Sequence, residues 1–444
     1  MPSTIHNGSK ELYRPPRAKA FCSEYRPPGD KSIAHRGILL ASTIPGRSRL
    51  RGIPRSDDVK RTLAAVRALG VVIKRRGEEH LISPNPGGVL EEPEGIIQCG
   101  QSGTTMRLLA GFLAPSDFLS VLAGGGSLSR RPMGRVIEPL REMGAKIHGR
   151  GGDRYAPLVI LGTPLGPIDY RMPVPSAQVK SSILMAALRG GVTVSIREGV
   201  RSRNHLEIML REQGADIQVS GTTTAYRPGR TLNPIDMRIP GDPSSGAFFI
   251  VLALLVPKAR IHVKDLLLNP TRTGFLDVLT RMGADIFVER MGKWNGEEVG
   301  DIVASSSELR PAPIRRQEVA SLVDEVPVLA VAAARVRGEM DFPHLGELRV
   351  KESDRIAAIA SNLRSIGVRV EERADGFTVE GTRKPLAGRV KAFGDHRIAM
   401  AFSVLGASPG VEIEVEGAEC MAKSYPAFSR QLAEVAGAAR RVGG

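Results

Sequence analysis

Three short polar stretches hold the residues best suited to chemistry. GDKSIAHR (29–36) places Lys31, Ser32 and Arg36 in the first turns of an apolar helix, behind a Gly-Asp pair that reads as turn and N-cap. A helix N-terminus already presents unpaired N–H donors and a partial positive charge. Adding two cations there is unfavourable unless an anion is meant to arrive. KESDR (351–355) and DHR (395–397) again gather cations around Glu352 and His396. Singly, each stretch reads as an ordinary cap or an exposed helix start. Together they point to a site that grips anions.

A repeat along the whole chain positions them. RALGVVI (67–73) returns as REMGAKI (141–147), REQGADI (211–217), TRMGADI (280–286), RSIGVRV (364–370) and, degenerately, AEVAGAA (433–439), at spacings of 69 to 84 residues. Each phrase predicts a helix end, a glycine cap and a strand start. A more apolar helix precedes each one, such as SSGAFFIVLALLV or DHRIAMAFSVLGAS, and its apolar circumference predicts burial. With strands such as VTVSIREG and VEIEVEG between them, the unit reads β-α-β-α-β-β. Six units exceed one core and should divide into two sets of three. RIPGDPSSG (238–246) suits the junction. The segment up to about Arg26 is expected to lend a strand to the second half, giving two crossings and a hinge.

Each apolar helix also opens on polar residues: Lys31-Ser32, Ser102-Gly103-Thr104, Ser176-Ala177-Gln178, Asp242 with Ser244, Asp324-Glu325 and Asp395-His396-Arg397. Three parallel helix starts on one face of each half would make a cleft that draws anions.

Composition narrows the field. The 444 residues carry a formal charge of +15, which could serve nucleic acid or small anions. Lys and Arg are dispersed, and aromatic residues make up 4%, too few for a base-stacking surface. No apolar run reaches membrane-spanning length, and the first residues lack the apolar core of a signal peptide. Cys22, Cys99 and Cys420 lie far apart, which argues against a zinc site or disulfide framework and suits a reducing cytosol.

The polar stretches, in order, resemble one family. PPGDKSIAHR, GQSGTTMRLLAG, SLSRRPMGRV, PSAQVKSS, SRNHLE, PGDPSSGAF, DEVPVLAVAA, ELRVKESDR, DHRIAM and AKSYPAF are similar to the motifs of the 5-enolpyruvylshikimate-3-phosphate synthases over nearly the whole chain. The resemblance implies a two-domain inside-out α/β barrel, each domain built from three βαβαββ repeats about a pseudo-threefold axis. The domains would be 27–239, mainly for shikimate 3-phosphate, and 1–26 with 240–444, holding much of the phosphoenolpyruvate site.

It implies enolpyruvyl transfer from phosphoenolpyruvate to the 5-hydroxyl of shikimate 3-phosphate, through a tetrahedral intermediate, with no metal and no cofactor. The expected partners are these two small molecules only, without nucleic acid or membrane, for a cytoplasmic monomer. By motif, Lys31, Asp324, Glu352 and His396 are the expected catalytic group. Lys31, Ser32, Arg36, Ser176, Ala177, Gln178, Ser202, Arg203, Asp324 and Lys351 would hold shikimate 3-phosphate. Lys31, Gly103, Arg131, Gln178, Arg355, Arg397 and Lys423 would hold phosphoenolpyruvate, and Gly103 implies sensitivity to glyphosate. Which group moves which proton stays open.

Gln101, Gly125, Asn204 and Leu206 depart from the family pattern. The sister enzymes that use UDP-N-acetylglucosamine are the alternative. They typically carry a loop cysteine where this chain has Gly126. A basic nucleic-acid-binding or RNA-end-processing relative is the remaining one.

Overall fold

The computed structural model describes residues 12–85 and 89–437. All six apolar helices are present: Lys31–Ala41, Gly103–Leu113, Ala177–Gly190, Pro243–Leu255, Val326–Ala334 and His396–Ala407. Five open on a side-chain cap. Asp30, Ser102, Ser176, Asp242 and Asp395 each accept a hydrogen bond from a backbone N–H in the first turn. Every residue of Val326–Ala334 and His396–Ala407 is buried, as apolar residues on all sides require.

The second helix of each unit is amphipathic and ends as the repeated phrase predicts. Gly70, Gly144, Gly214, Gly283 and Gly367 all take left-handed backbone angles, with φ from 85° to 98°. The sixth phrase differs: its glycine, Gly437, closes the helix Phe428–Gly437, and the rest of the phrase lies outside the described residues.

Among the described residues strands form six small sheets, one per repeat. In four of them a parallel pair is extended by an antiparallel hairpin, as in Ile168–Arg171, Val194–Arg197, Thr223–Arg227 and Asp216–Ser220. The crossings exchange strands. Cys22–Tyr25, which precedes the first helix, pairs in parallel with Arg260–Leu267 in the fourth sheet. Asp236–Arg238, which precedes the fourth helix, pairs in parallel with Ser48–Arg51 in the first. The N-terminal segment lends a second strand as well: Leu12–Tyr13 runs antiparallel to Val411–Glu416 in the last sheet. One strand was expected from that segment; there are two.

The apolar side chains collect into two clusters. One draws on residues 33–239 plus Leu267, the other on 18–25 and 247–436. The backbones of the two crossings bond to each other where they pass, Asp30 N to Pro240 O at 2.8 Å and Asp242 N to Pro28 O at 2.9 Å. Among the described residues no helix is long and apolar enough to cross a membrane.

Candidate active site

Residues at the starts of both sets of three helices line one cavity. Its volume is about 590 Å³, and its lining includes Lys31, Thr104, Gln178, Asp242, Asp324 and Arg397. Eleven Lys and Arg side chains line it against six carboxylates, so the space is strongly cationic. Of the residues expected from sequence, every one lines this cavity except Lys423. Lys423 stands behind the wall, with Nζ donating to Gln101 Oε1 at 3.0 Å and to Gly394 O at 2.9 Å.

The wall of the first half is tied together by side chains. Lys31 Nζ lies 2.8 Å from Asp58 Oδ2. Arg36, fully buried, donates to Ser181 Oγ and to the carbonyls of Ser32 and Ala177. Gln178 is fixed from both ends: Arg107 donates to its Oε1 at 2.6 Å, and its Nε2 donates to Thr104 Oγ1 at 2.8 Å. The hydroxyl of Ser202 is buried with no partner among the described residues. A Cβ on Gly103 would come within 2.6 Å of Arg131 Nη1, so a side chain there would displace that guanidinium.

The second half contributes Asp324, Lys351, Glu352 and His396 to the lining. Asp324 receives Arg203 from across the cleft and lies 3.3 Å from Arg355 Nη1 and 3.4 Å from Arg397 Nη2. Burial opposes its charge, but Arg397, Arg203, Lys351 and Arg355 together hold its carboxyl well below the usual range. Glu352 behaves alike: burial acts against ionisation, and His396, whose Nδ1 is 2.9 Å from Oε2, wins with help from Arg355 and Lys31. Burial pushes the Lys351 ammonium down to about 8, although Asp324 opposes the shift. Asp395 caps its helix and receives Arg355 Nε at 2.8 Å.

Glu352, Asp395 and His396 form a group among the described residues that could share a cation, their ligand atoms lying within 4.8 Å. Arg355 already occupies Asp395, and His396 occupies Glu352.

Sequence reasoning missed Asp58, Arg107 and Arg272. Arg107 had a visible signal, a lone cation inside the apolar run GTTMRLLAG. Asp58 sits in a helix start rich in acids, where a cap-type role hides it. Arg272 lies in a loop and spans the crossings, joining Asp30 and Asp242. Three of the four departures have structural partners. Gln101 receives Lys423, Asn204 Oδ1 accepts from Asn269 Nδ2 at 2.9 Å, and Leu206 is completely buried. Gly125 faces open space, with no atom within 4 Å of where a Cβ would stand.

Comparison with known proteins agrees with this geometry. A family model described as EPSP synthase (3-phosphoshikimate 1-carboxyvinyltransferase) matches residues 18–432. The 3-phosphoshikimate 1-carboxyvinyltransferase of Geobacter metallireducens is 46% identical over 94% of this chain and 98% of its own. That of Geobacter sulfurreducens is 43% identical over the same shares. The solved EPSP synthase of Acinetobacter baumannii superposes with a TM-score of 0.84 at 36% identity, covering 96% of this chain and 98% of that one. The enolpyruvyl transferase NikO of Streptomyces tendae shares the fold, with a TM-score of 0.75 at 17% identity over 96% and 97% of the two chains.

Proposed function

The chain belongs to the EPSP synthase family, and on that premise we propose how its own residues carry the reaction. It transfers the enolpyruvyl group of phosphoenolpyruvate to shikimate 3-phosphate in the shikimate pathway. The observation that supports the residue assignments is the meeting of six helix starts around a cavity lined by eleven cations. Its two substrates are both polyanions, and helix N-termini with guanidinium forks are suited to phosphate and carboxylate.

In this reading Lys31 stands where the two substrates meet. Ser176, Ser202 and Arg203 take the phosphate of shikimate 3-phosphate, and Ser32, Arg36, Ala177, Gln178 and Lys351 its remainder. Arg131, Arg355, Arg397 and Lys423 take the carboxylate and phosphate of phosphoenolpyruvate. The Ser202 hydroxyl, without a partner among the described residues, and the nearness of the Arg131 guanidinium to Gly103 support these assignments.

The 5-hydroxyl loses its proton to Asp324, with the Lys31 ammonium stabilising the developing negative charge, as its oxygen attacks C2, while the methylene carbon gains a proton to become methyl. Loss of a methyl proton then expels phosphate and restores the double bond. Glu352 serves both proton steps on carbon. Ionised before substrate arrives, it can carry a proton once phosphoenolpyruvate neutralises the surrounding cations and raises its pKa.

The two core clusters support domains of 27–239 and of 1–26 with 240–444, closing over the substrates at the crossings. X-ray scattering that showed no compaction on adding shikimate 3-phosphate would count against closure. We further read the protein as a cytoplasmic monomer; light scattering that gave twice the chain mass would refute the monomer.

The direct test is phosphate release with phosphoenolpyruvate and each of three acceptors: shikimate 3-phosphate, shikimate and UDP-N-acetylglucosamine. Turnover with the first alone, and a product heavier by one enolpyruvyl group, is expected. Turnover with the sugar nucleotide alone would overturn the assignment.

Two smaller predictions concern specificity and pH. Gly103→Ala pushes on the Arg131 guanidinium, so KM for phosphoenolpyruvate should rise about 10-fold or more, with KM for shikimate 3-phosphate changed much less. The same glycine leads us to propose inhibition by glyphosate, to be measured in competition with phosphoenolpyruvate; undiminished turnover at saturating glyphosate would exclude it.

Lys351 must be charged to bind an anion, and its free-enzyme pKa is about 8. The value of kcat/KM for shikimate 3-phosphate, which reports free-enzyme groups, should therefore fall as pH rises through about 8. Lys351→Arg should move that fall upward; an unchanged profile in the variant would assign the limb to another group.

A further inference from the structure

Beneath the wall assigned to shikimate 3-phosphate lies a buried ionic cluster that no step above employs. Lys180, in the helix Ala177–Gly190, has a side chain 1% exposed. Its Nζ is 2.6 Å from Glu198 Oε2 and 2.7 Å from Glu207 Oε1, and both of those side chains are 2% exposed. Two carboxylates on one ammonium leave an excess negative charge away from water, and Glu198 Oε1 and Glu207 Oε2 have no hydrogen-bond partner among the described residues.

Arg36, equally buried, ties the same helix to the helix Lys31–Ala41, donating to Ser181 Oγ at 2.9 Å and to the carbonyl of Ala177.

Stability does not account for such a cluster. Apolar residues of equal volume generally pack such a site as well or better, whereas removing one member strands a buried charge. What a buried ionic cluster can supply is register, because each ion fixes the segment that bears it. Here every member belongs to a segment that also reaches the cleft. Lys180 follows Ser176 and Gln178 in one helix, Glu198 precedes Ser202, and Glu207 follows Arg203.

We propose that Lys180, Glu198 and Glu207 are positioning residues for the acceptor's phosphate, locking the segments that carry Ser176 and Ser202 into one arrangement. This rests on the assignment of that phosphate to Ser176 and Ser202. The effect acts through the site residues, so it should appear in binding of the phosphorylated acceptor and spare groups gripped elsewhere.

The test uses the full chain, calorimetric binding of shikimate 3-phosphate and of shikimate, and KM for both substrates, alongside Tm. Glu207→Gln should weaken shikimate 3-phosphate binding and raise its KM by about 10-fold or more. KM for phosphoenolpyruvate and binding of unphosphorylated shikimate should stay within about 2-fold. Lys180→Arg, which keeps the charge, should retain more affinity than Lys180→Met.

Since Lys180→Met strands two carboxylates and threatens the fold, the triple variant K180M/E198Q/E207Q, in which none of the three side chains is charged, provides a second arm. It should fold yet lose the preference for the phosphorylated acceptor. Shikimate 3-phosphate affinity unchanged in folded Glu207→Gln and in the triple variant would overturn the proposal. Ser202→Ala separates the two layers. If it weakens binding and Glu207→Gln does not, only the positioning role falls. If Ser202→Ala also leaves binding unchanged, the phosphate assignment falls and the proposal falls with it.

Discussion

Glu352→Gln should leave a folded protein whose phosphate release is slower by about 10³-fold, a loss of about 4 kcal/mol of transition-state stabilisation. The amide keeps the shape of the side chain and can still accept from His396 Nδ1, so Tm should move little. What it cannot do is exchange a proton with carbon. The wild-type protein, run in deuterated water, should therefore place solvent deuterium on the transferred methylene group, because one of three methyl hydrogens leaves at random. Glu352→Gln should place almost none. Full turnover with deuterium incorporation in this variant would assign the carbon proton to another group, with Asp324 the next to test. Binding of shikimate 3-phosphate should survive, since Glu352 is not among its proposed ligands.

The second large effect belongs to Lys31. Its ammonium caps the approach to both proposed anion subsites and is held in place by Asp58 at 2.8 Å. Lys31→Met keeps the length and apolar stem but removes the charge, leaving Asp58 facing the incoming phosphates. A buried or half-buried carboxylate opposite a phosphate repels it, so the variant loses an attraction and gains a repulsion. We expect kcat/KM to fall by about 10³-fold or more, with weaker binding of both substrates. The double variant Lys31→Met/Asp58→Asn should recover part of the binding and little of the turnover. Recovery of full turnover would mean that Lys31 serves only to screen Asp58.

Much of this site was legible because its residues sit at helix starts, and helix starts leave marks in sequence. Asp30, Ser102, Ser176, Asp242 and Asp395 are all both caps and landmarks, and the repeated glycine phrase gives their spacing. Burial of the apolar helices followed from their composition. What could not be read is pairing between distant segments. Nothing local distinguishes Arg203 as the partner of Asp324, Arg107 as the anchor of Gln178, or Gln101 as the acceptor for Lys423. The strand exchange was half visible. Leu12–Tyr13 and Asp236–Arg238 span two and three residues, too short to show alternation, and only their partners make them strands.

That exchange has a consequence for how the polypeptide comes off the ribosome. Cys22–Tyr25 and Leu12–Tyr13 emerge early, yet their partner strands follow roughly 240 and roughly 400 residues later. The first half waits less, because its first sheet is completed by Asp236–Arg238, roughly 190 residues after Ser48–Arg51 and the last strand before the second crossing. Vectorial synthesis should therefore finish the first half while the leading segment hangs unpaired, and the second half should close around that segment last. Nascent chains arrested near residue 270 should then protect 27–239 from protease while Leu12–Tyr13 stays open to cleavage; protection of both at that length would contradict this order.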